Sequence, residues 1–351
     1  MSRIISVQYL RAAAALMVVF FHAEGMAAEY FNIGWPSFGA AGVDIFFVIS
    51  GFIMWITTAP ERTTPSSFMV NRIVRIVPLY WLVTLLLYGG WVIFRDPAQL
   101  PPVSNLLQSL FFIPFASERT GNIQPLLIAG WTLNYEMFFY AVFACGFLVA
   151  RRYRMLLVGV ALGSLVASRY LVVPSTPMTM TYTSPLLIEF IIGCLLGMMY
   201  ERNALPRPAM AVFLLVVGSL LLLISGMLPA SSIGGGRFVR WGLPAFLVVV
   251  GALSLESSLK VWRLPTLLGD ASYSIYLTHS VVLSTLKSAV LIVAGVLSPL
   301  MVGGFIVAGC IASIVAGVLV YRFVETPLLV WSKQFVAAIR NRVGASAPSA
   351  A

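Results

Sequence analysis

Residues 8–25 read QYLRAAAALMVVFFHAEG, and residues 39–55 read GAAGVDIFFVISGFIMW. The fold turns on these two runs. A stretch of about 20 apolar residues is long enough to cross roughly 30 Å of hydrocarbon as a helix. In lipid a helix is favoured because it satisfies its own backbone hydrogen bonds. Two residues of the first run are rejected by lipid: Arg11 at its entrance and His22 near its exit. Eleven positions separate them, about 16 Å along a helix at 1.5 Å per residue. A polar group held at membrane depth faces a protein or water-filled interior. One side of this first span therefore looks onto protein.

Working outward, 60 % of the 351 residues are hydrophobic and 10 % are charged. A soluble domain carries about 25 % charge. Apolar runs place spans at about 8–28, 42–59, 76–94, 131–150, 155–172, 185–200, 209–228, 241–256, 271–294 and 300–323. The expected fold is all-α, a polytopic membrane helix bundle of about ten transmembrane helices. The stretch 105–115, NLLQSLFFIPF, is too short to span and reads as a re-entrant or interfacial helix. The N-terminus resembles a signal peptide, but further spans follow at once, so it reads as a retained first span. Residues 1–330 form one membrane domain. Residues 331–351, ending GASAPSAA, read as a disordered cytoplasmic tail. Residues 231–237, SSIGGGR, read as a flexible outer turn. There is no convincing internal repeat of the kind that marks transporter folds.

The net charge of +10 sits in short loops, where it orients a membrane protein rather than binding nucleic acid. With the N-terminus inside, six of the 22 Lys and Arg fall on the far side: Arg95, Arg119, Arg169, Arg237, Arg240 and Lys287. The other sixteen fall inside. That bias predicts N-in and C-in. Cys145, Cys194 and Cys310 lie in apolar runs without metal-ligand spacing, and read as small buried hydrophobes. No metal is expected.

Both histidines lie within spans. His22, roughly 9 Å below the outer surface, reads as a general base or as a buried histidine that ties helices together. Glu136 in GWTLNYEMFFY lies about 8 Å in from the same side. Asp44 starts the second span, where capping a positive helix end competes with a catalytic role. Either carboxylate is a candidate to hold the His22 imidazole in one tautomer. At the opposite face, Arg72 and Arg75 share a helix side before Pro78, and with Arg11 they make a cationic mouth suited to phosphate. Positive-inside bias is the competing explanation. His279, with Tyr273, Ser274 and Tyr276, reads as a polar tunnel lining or a structural histidine. Glu325 in YRFVETP reads as an interfacial ion pair with Arg322.

These patches in combination resemble the acyltransferase-3 family of integral-membrane acyltransferases, and within it the ExoZ-like exopolysaccharide-modifying members. The resemblance rests on Arg11 and His22 with ten residues between them. It continues through GVDIFFVISGF (42–52), RIVR (72–75), WTLNYEMFFY (131–140), SYSIYLTH (272–279) and VETP (324–327). It implies ten spans in the inner (plasma) membrane and O-acylation of carbohydrate, most often acetylation. The implied co-substrate is cytoplasmic acyl-CoA. The implied acceptor is a cell-surface glycan or its lipid-linked precursor, with polysaccharide synthesis machinery as a partner. His22 would be the essential base, Arg11 its motif partner, Arg72 and Arg75 donor-binding groups, and Glu325 a functional carboxylate. On these expectations Tyr273, Tyr276, His279 and Glu325 contact substrate. The transfer runs directly or through an acyl-imidazole. Two rivals stand beside it. One is a transporter or flippase for a glycan lipid. The other is a non-catalytic membrane partner, in which His22 and Arg11 tolerate substitution.

Overall fold

The computed structural model describes residues 3–31, 37–58, 63–118, 120–228, 236–294 and 299–345. Among these the regular structure is helical, apart from one isolated bridge between Ala116 and Ile123. The order is α1 (Ile5–Phe31), α2 (Gly42–Thr57), α3 (Pro65–Phe94), α4 (Val103–Leu110), α5 (Trp131–Cys145), α6 (Arg151–Leu171) and α7 (Pro177–Tyr182). Then come α8 (Leu187–Glu201), α9 (Pro208–Met227), α10 (Leu243–Ser254), α11 (Arg263–Asp270), α12 (Ser272–Ala294), α13 (Pro299–Val320) and α14 (Thr326–Ala345).

Among the described residues, eight helical stretches are long and apolar enough to cross a membrane: α1, α2, α3, α6, α7 with α8, α9, α12, and α13 with α14. The protein is a multi-pass membrane protein. Each of the ten expected segments falls on a helix. The remaining two, α5 and α10, have 15 and 12 residues. Alone they fall short of the bilayer, but helical turns extend both. Ile128–Gly130 and Gly146–Leu148 flank α5, and a π-helical turn, Phe238–Gly242, precedes α10. The segment 105–115 is the eight-residue α4 and the turn after it. It is tied to α3 by Tyr80, which donates to Ser109 O at 3.0 Å, and by Trp81, which donates to Leu110 O at 2.8 Å.

Local signals set several boundaries. Thr64 caps α3 by accepting from Ser67 N, the Ser67 hydroxyl returns the bond, and Pro65 opens the first turn. Glu256 caps α1 from a distance, its two oxygens each accepting at 2.7 Å from Ile5 N and Ser6 N. That places a negative group on the positive end of the helix.

The tail departs from expectation. Where disorder is predicted from residue 331, α14 continues to Ala345, packed along α3. The run KQFVAAIRNR holds good helix formers and no Gly or Pro. Trp331 and Phe335, one turn apart, stack at 5.8 Å. Residues 346–351 and 231–235 lie outside the described residues.

At the centre α2 is enclosed by protein, with 12 of its 16 residues buried. Its closest partner is α8, and two glycines allow the approach. A Cβ on Gly51 would stand 2.1 Å from Phe190 O, and one on Gly193 would stand 2.2 Å from Val48 O. Each is against backbone, which cannot rotate away. Gly193→Val is therefore expected to cost about 1–3 kcal/mol or more. Thermal unfolding in detergent checks it. An unchanged melting temperature would mean the helices do not meet at this seam.

The bundle has two distinct polar ends. At one, Arg3 pairs with Asp270, Arg151 with Glu201 (2.6 Å), and Tyr9 donates to Lys260 O at 2.5 Å. At the other, Arg237 pairs with Asp44 at 2.6 Å. There Arg240 donates to Ser225 O (2.7 Å) and Leu228 O (2.6 Å), carbonyls at the end of α9.

Candidate active site

A cleft of about 170 Å³ enters the bundle between α1, α2, α3, α5 and α12. Helical spacing builds its walls. From α2 come Val43, Phe46, Phe47, Ser50, Ile53 and Met54, one face at intervals of three and four. From α5 come Thr132, Leu133, Glu136 and Tyr140 on the same rule. From Val43 to Met54 the wall runs about 16 Å along the helix. The cleft thus follows much of the bundle's depth.

Part of its wall is cationic. Arg11, Arg72 and Arg75 all line it, as their spacing predicts. Arg11 donates from Nε to the Ser272 hydroxyl at 3.1 Å. Arg75 lies over the Tyr273 ring, 5.6 Å from its centroid, and forms an ion pair with Glu325. Tyr273 itself donates to Ile76 O at 2.8 Å. Glu325 is 1 % exposed, and its other oxygen accepts from Ser274 at 2.5 Å. The expected Arg322–Glu325 pair is not formed. A π-helical turn, Tyr321–Glu325, joins α13 to α14, and its wider winding turns Glu325 inward to Arg75. Arg72 sits over the Phe68 ring at 5.6 Å, and its buried Nε has no hydrogen-bond partner. An orphaned guanidinium donor in the wall of a cleft fits a phosphate-bearing ligand.

His22 does not line the cleft. The wall residue nearest to it in the contact sequence is Tyr276, whose hydroxyl meets the Thr132 hydroxyl at 2.9 Å. One turn along α12, the buried His279 ring lies 5.7 Å from the Tyr276 ring. His279 Nε2 in turn lies 3.3 Å from His22 Nδ1. The order is cleft, Tyr276, His279, His22.

Neither expected carboxylate reaches His22. Asp44, fully buried, is gripped by Arg237, whose Nε and Nη2 donate at 3.2 and 2.6 Å. Arg237, just ahead of the π-helical turn Phe238–Gly242, brings a cation to the start of α2, so charge pairing takes Asp44 away from the imidazole. Glu136 Oε1 accepts from Tyr140 one turn on, and from Ser50 at 3.1 Å. Glu136 therefore faces the cleft and does not contact His22. Asp44→Asn is expected to lower thermal stability while leaving donor KM unchanged. A raised KM with unchanged stability would return Asp44 to the site.

Comparison with known proteins agrees with this architecture. A family model described as an acyltransferase domain matches residues 4–322. This chain belongs to that acyltransferase family. Over 322 residues the acyltransferase is 38 % identical to the exopolysaccharide production protein ExoZ of Rhizobium meliloti, covering 88 % of this chain and 94 % of that one. It is 29 % identical over 296 residues to a putative membrane-bound transacylase, BcsY, of Komagataeibacter xylinus, covering 77 % and 70 %. It is 25 % identical over 358 residues to the peptidoglycan O-acetyltransferase OatA of Listeria monocytogenes, covering 92 % of this chain and 55 % of that protein. No solved structure matches.

Several residues of the candidate site escape a motif-based reading. Ser50 and Tyr140 lie inside quoted motifs, and the Glu136–Tyr140 spacing of four was the signal available for their contact. Thr132 and Ser272 carry no such signal, because their partners Tyr276 and Arg11 are 144 and 261 positions away.

Proposed function

We propose that this membrane acyltransferase moves an acyl group, most often acetyl, from acyl-CoA to a hydroxyl of a cell-surface polysaccharide or its lipid-linked precursor. The observation that carries it is a chain of side-chain contacts that leads from the cleft to His22. Three arginines line one long cleft, and Tyr276 of its wall packs against the buried His279, which meets the half-buried His22. Arg11, Arg72 and Arg75 take the donor's phosphates at the N-terminal end of the bundle, which faces the cytoplasm across the inner membrane. The narrow cleft suits a thin pantetheine arm. Tyr276 closes it through the Thr132 bond and must swing aside for the thioester to reach His22.

His22 Nε2 then removes the acceptor hydroxyl's proton as that oxygen attacks the thioester carbon. The carbon–sulfur bond breaks, and His22 returns the proton to the departing thiolate. The thioester bond lost is replaced by an ester. The ExoZ and OatA likenesses support a polysaccharide-type acceptor.

Purified protein in bilayers, given labelled acetyl-CoA and candidate glycans, is expected to place label on glycan as an alkali-labile ester. Glycan movement across the bilayer without thioester consumption would instead favour a transporter. Tyr276→Phe, which loses about 1 kcal/mol of latch, is expected to change the transfer rate by no more than about 5-fold. A complete loss would make the hydroxyl itself a reacting group.

A further inference from the structure

We propose that His279 is a positioning residue, which holds His22 in the tautomer that leaves Nε2 of His22 with its lone pair. The inference deepens the proposed reaction and rests on His22 acting as base.

Hydrogen-bond bookkeeping carries it. A backbone carbonyl only accepts, so the 2.5 Å contact between His279 Nδ1 and Tyr276 O puts a hydrogen on that nitrogen. A neutral imidazole has one N–H, so Nε2 of His279 carries a lone pair. That lone pair faces Nδ1 of His22 at 3.3 Å. Val18 O, one turn back on α1, lies 2.9 Å from the same nitrogen. Two acceptors converge on Nδ1 of His22, so it carries the hydrogen and shares it between them. Nε2 of His22 is left as acceptor, the form a base requires.

The Val18 contact alone is local to α1 and fixes the ring only against its own helix. His279 fixes it from a second helix. It is suited to this, being 1 % exposed and held by its own carbonyl contact. The arrangement also survives turnover. When His22 gains a proton on Nε2, its Nδ1–H still donates to His279. A hydrogen on Nε2 of His279 would instead set two N–H groups against each other at 3.3 Å. His279 thus performs the orienting part of the role that a buried carboxylate performs in a hydrolase triad, without its charge. Asp44 and Glu136, the carboxylates expected in that role, are occupied elsewhere.

The chain has two histidines, and both belong to this pair. Full-length protein, purified by a tag without histidine, labelled with 15N-histidine and placed in nanodiscs, therefore reports two side chains alone. Both are expected in the Nδ1–H tautomer. In His279→Leu only the Val18 contact remains, the His22 ring can turn out of it, and His22 is then expected to show a mixture of tautomers. Its kcat is expected to fall by on the order of 10- to 100-fold, with donor KM unchanged. His279→Gln, whose Oε1 can accept from His22, is expected to recover part of kcat. An Nε2–H tautomer for either ring in the unsubstituted protein would overturn the positioning role, whatever becomes of His279→Leu. So would His279→Leu with kcat and the His22 tautomer both unchanged. Transfer that survives His22→Ala would remove the base, and with it the purpose of the positioning. The tautomers need no turnover to measure, so the two failures are distinguishable.

Discussion

In His22→Ala, acyl transfer falls by about 10²–10⁴-fold, the range general base catalysis contributes, while the protein folds and still binds donor. The separation is expected from position. His22 is half-buried, its two polar contacts are to Val18 O and His279, and it lies outside the cleft that holds the arginines. Removing the ring leaves His279 without its neighbour but leaves no charge unpaired. The loss should appear in kcat, with donor KM near the starting value. Transfer kinetics with labelled acetyl-CoA, together with a melting curve, checks both halves. Retained transfer would end the assignment of the base.

The arginines of the cleft wall should divide into two kinds. Arg75→Ala strands the buried Glu325 carboxylate, and breaking a buried pair by removing one partner costs about 3–5 kcal/mol. Its first effect is on stability. Arg72 forms no ion pair among the described residues and keeps an unsatisfied Nε, so Arg72→Ala leaves nothing stranded. Its effect should be a donor KM raised about 10- to 100-fold, the loss of one charged hydrogen-bonding group worth about 1.5–3 kcal/mol. The double variant Arg75→Ala with Glu325→Gln removes the stranded charge. It should recover much of the stability but not the donor affinity. If Arg72→Ala changed acceptor KM alone, the cationic wall would not be the donor site.

How much of this was legible in the sequence follows from the range of each interaction. The helices were legible because apolar run length is a local property, and each expected span falls on a helix. The meeting of Arg11 with Arg72 and Arg75 was legible because the expected topology puts all three on the same side of the membrane. The imidazole's partner was not. Depth matched His22 to Glu136 and Asp44, but rotation about the helix axis decides contact, and rotation is set by packing. The close α2–α8 seam at Gly51 and Gly193 is one such constraint, and it fixes which side of α2 meets the cleft. Arg237, expected only as a far-side cation, takes Asp44 after the chain has crossed the bilayer several more times. The partner of Glu325 was missed for a different reason. A π-helical turn adds a residue to the helical winding, so spacing along α13 does not predict where the side chain points. In the tail, composition near the end suggested disorder, while the residues just before it had the propensity for helix.

The most direct test is a structure of the protein with a non-hydrolysable acyl-CoA analogue in a lipid nanodisc. The phosphates should lie within hydrogen-bond reach of Arg11, Arg72 and Arg75, with Tyr276 turned away from Thr132 and the acyl carbonyl beside Nε2 of His22. An analogue bound outside the cleft would contradict this. So would one seated in it with the Tyr276–Thr132 bond intact and its carbonyl remote from either imidazole.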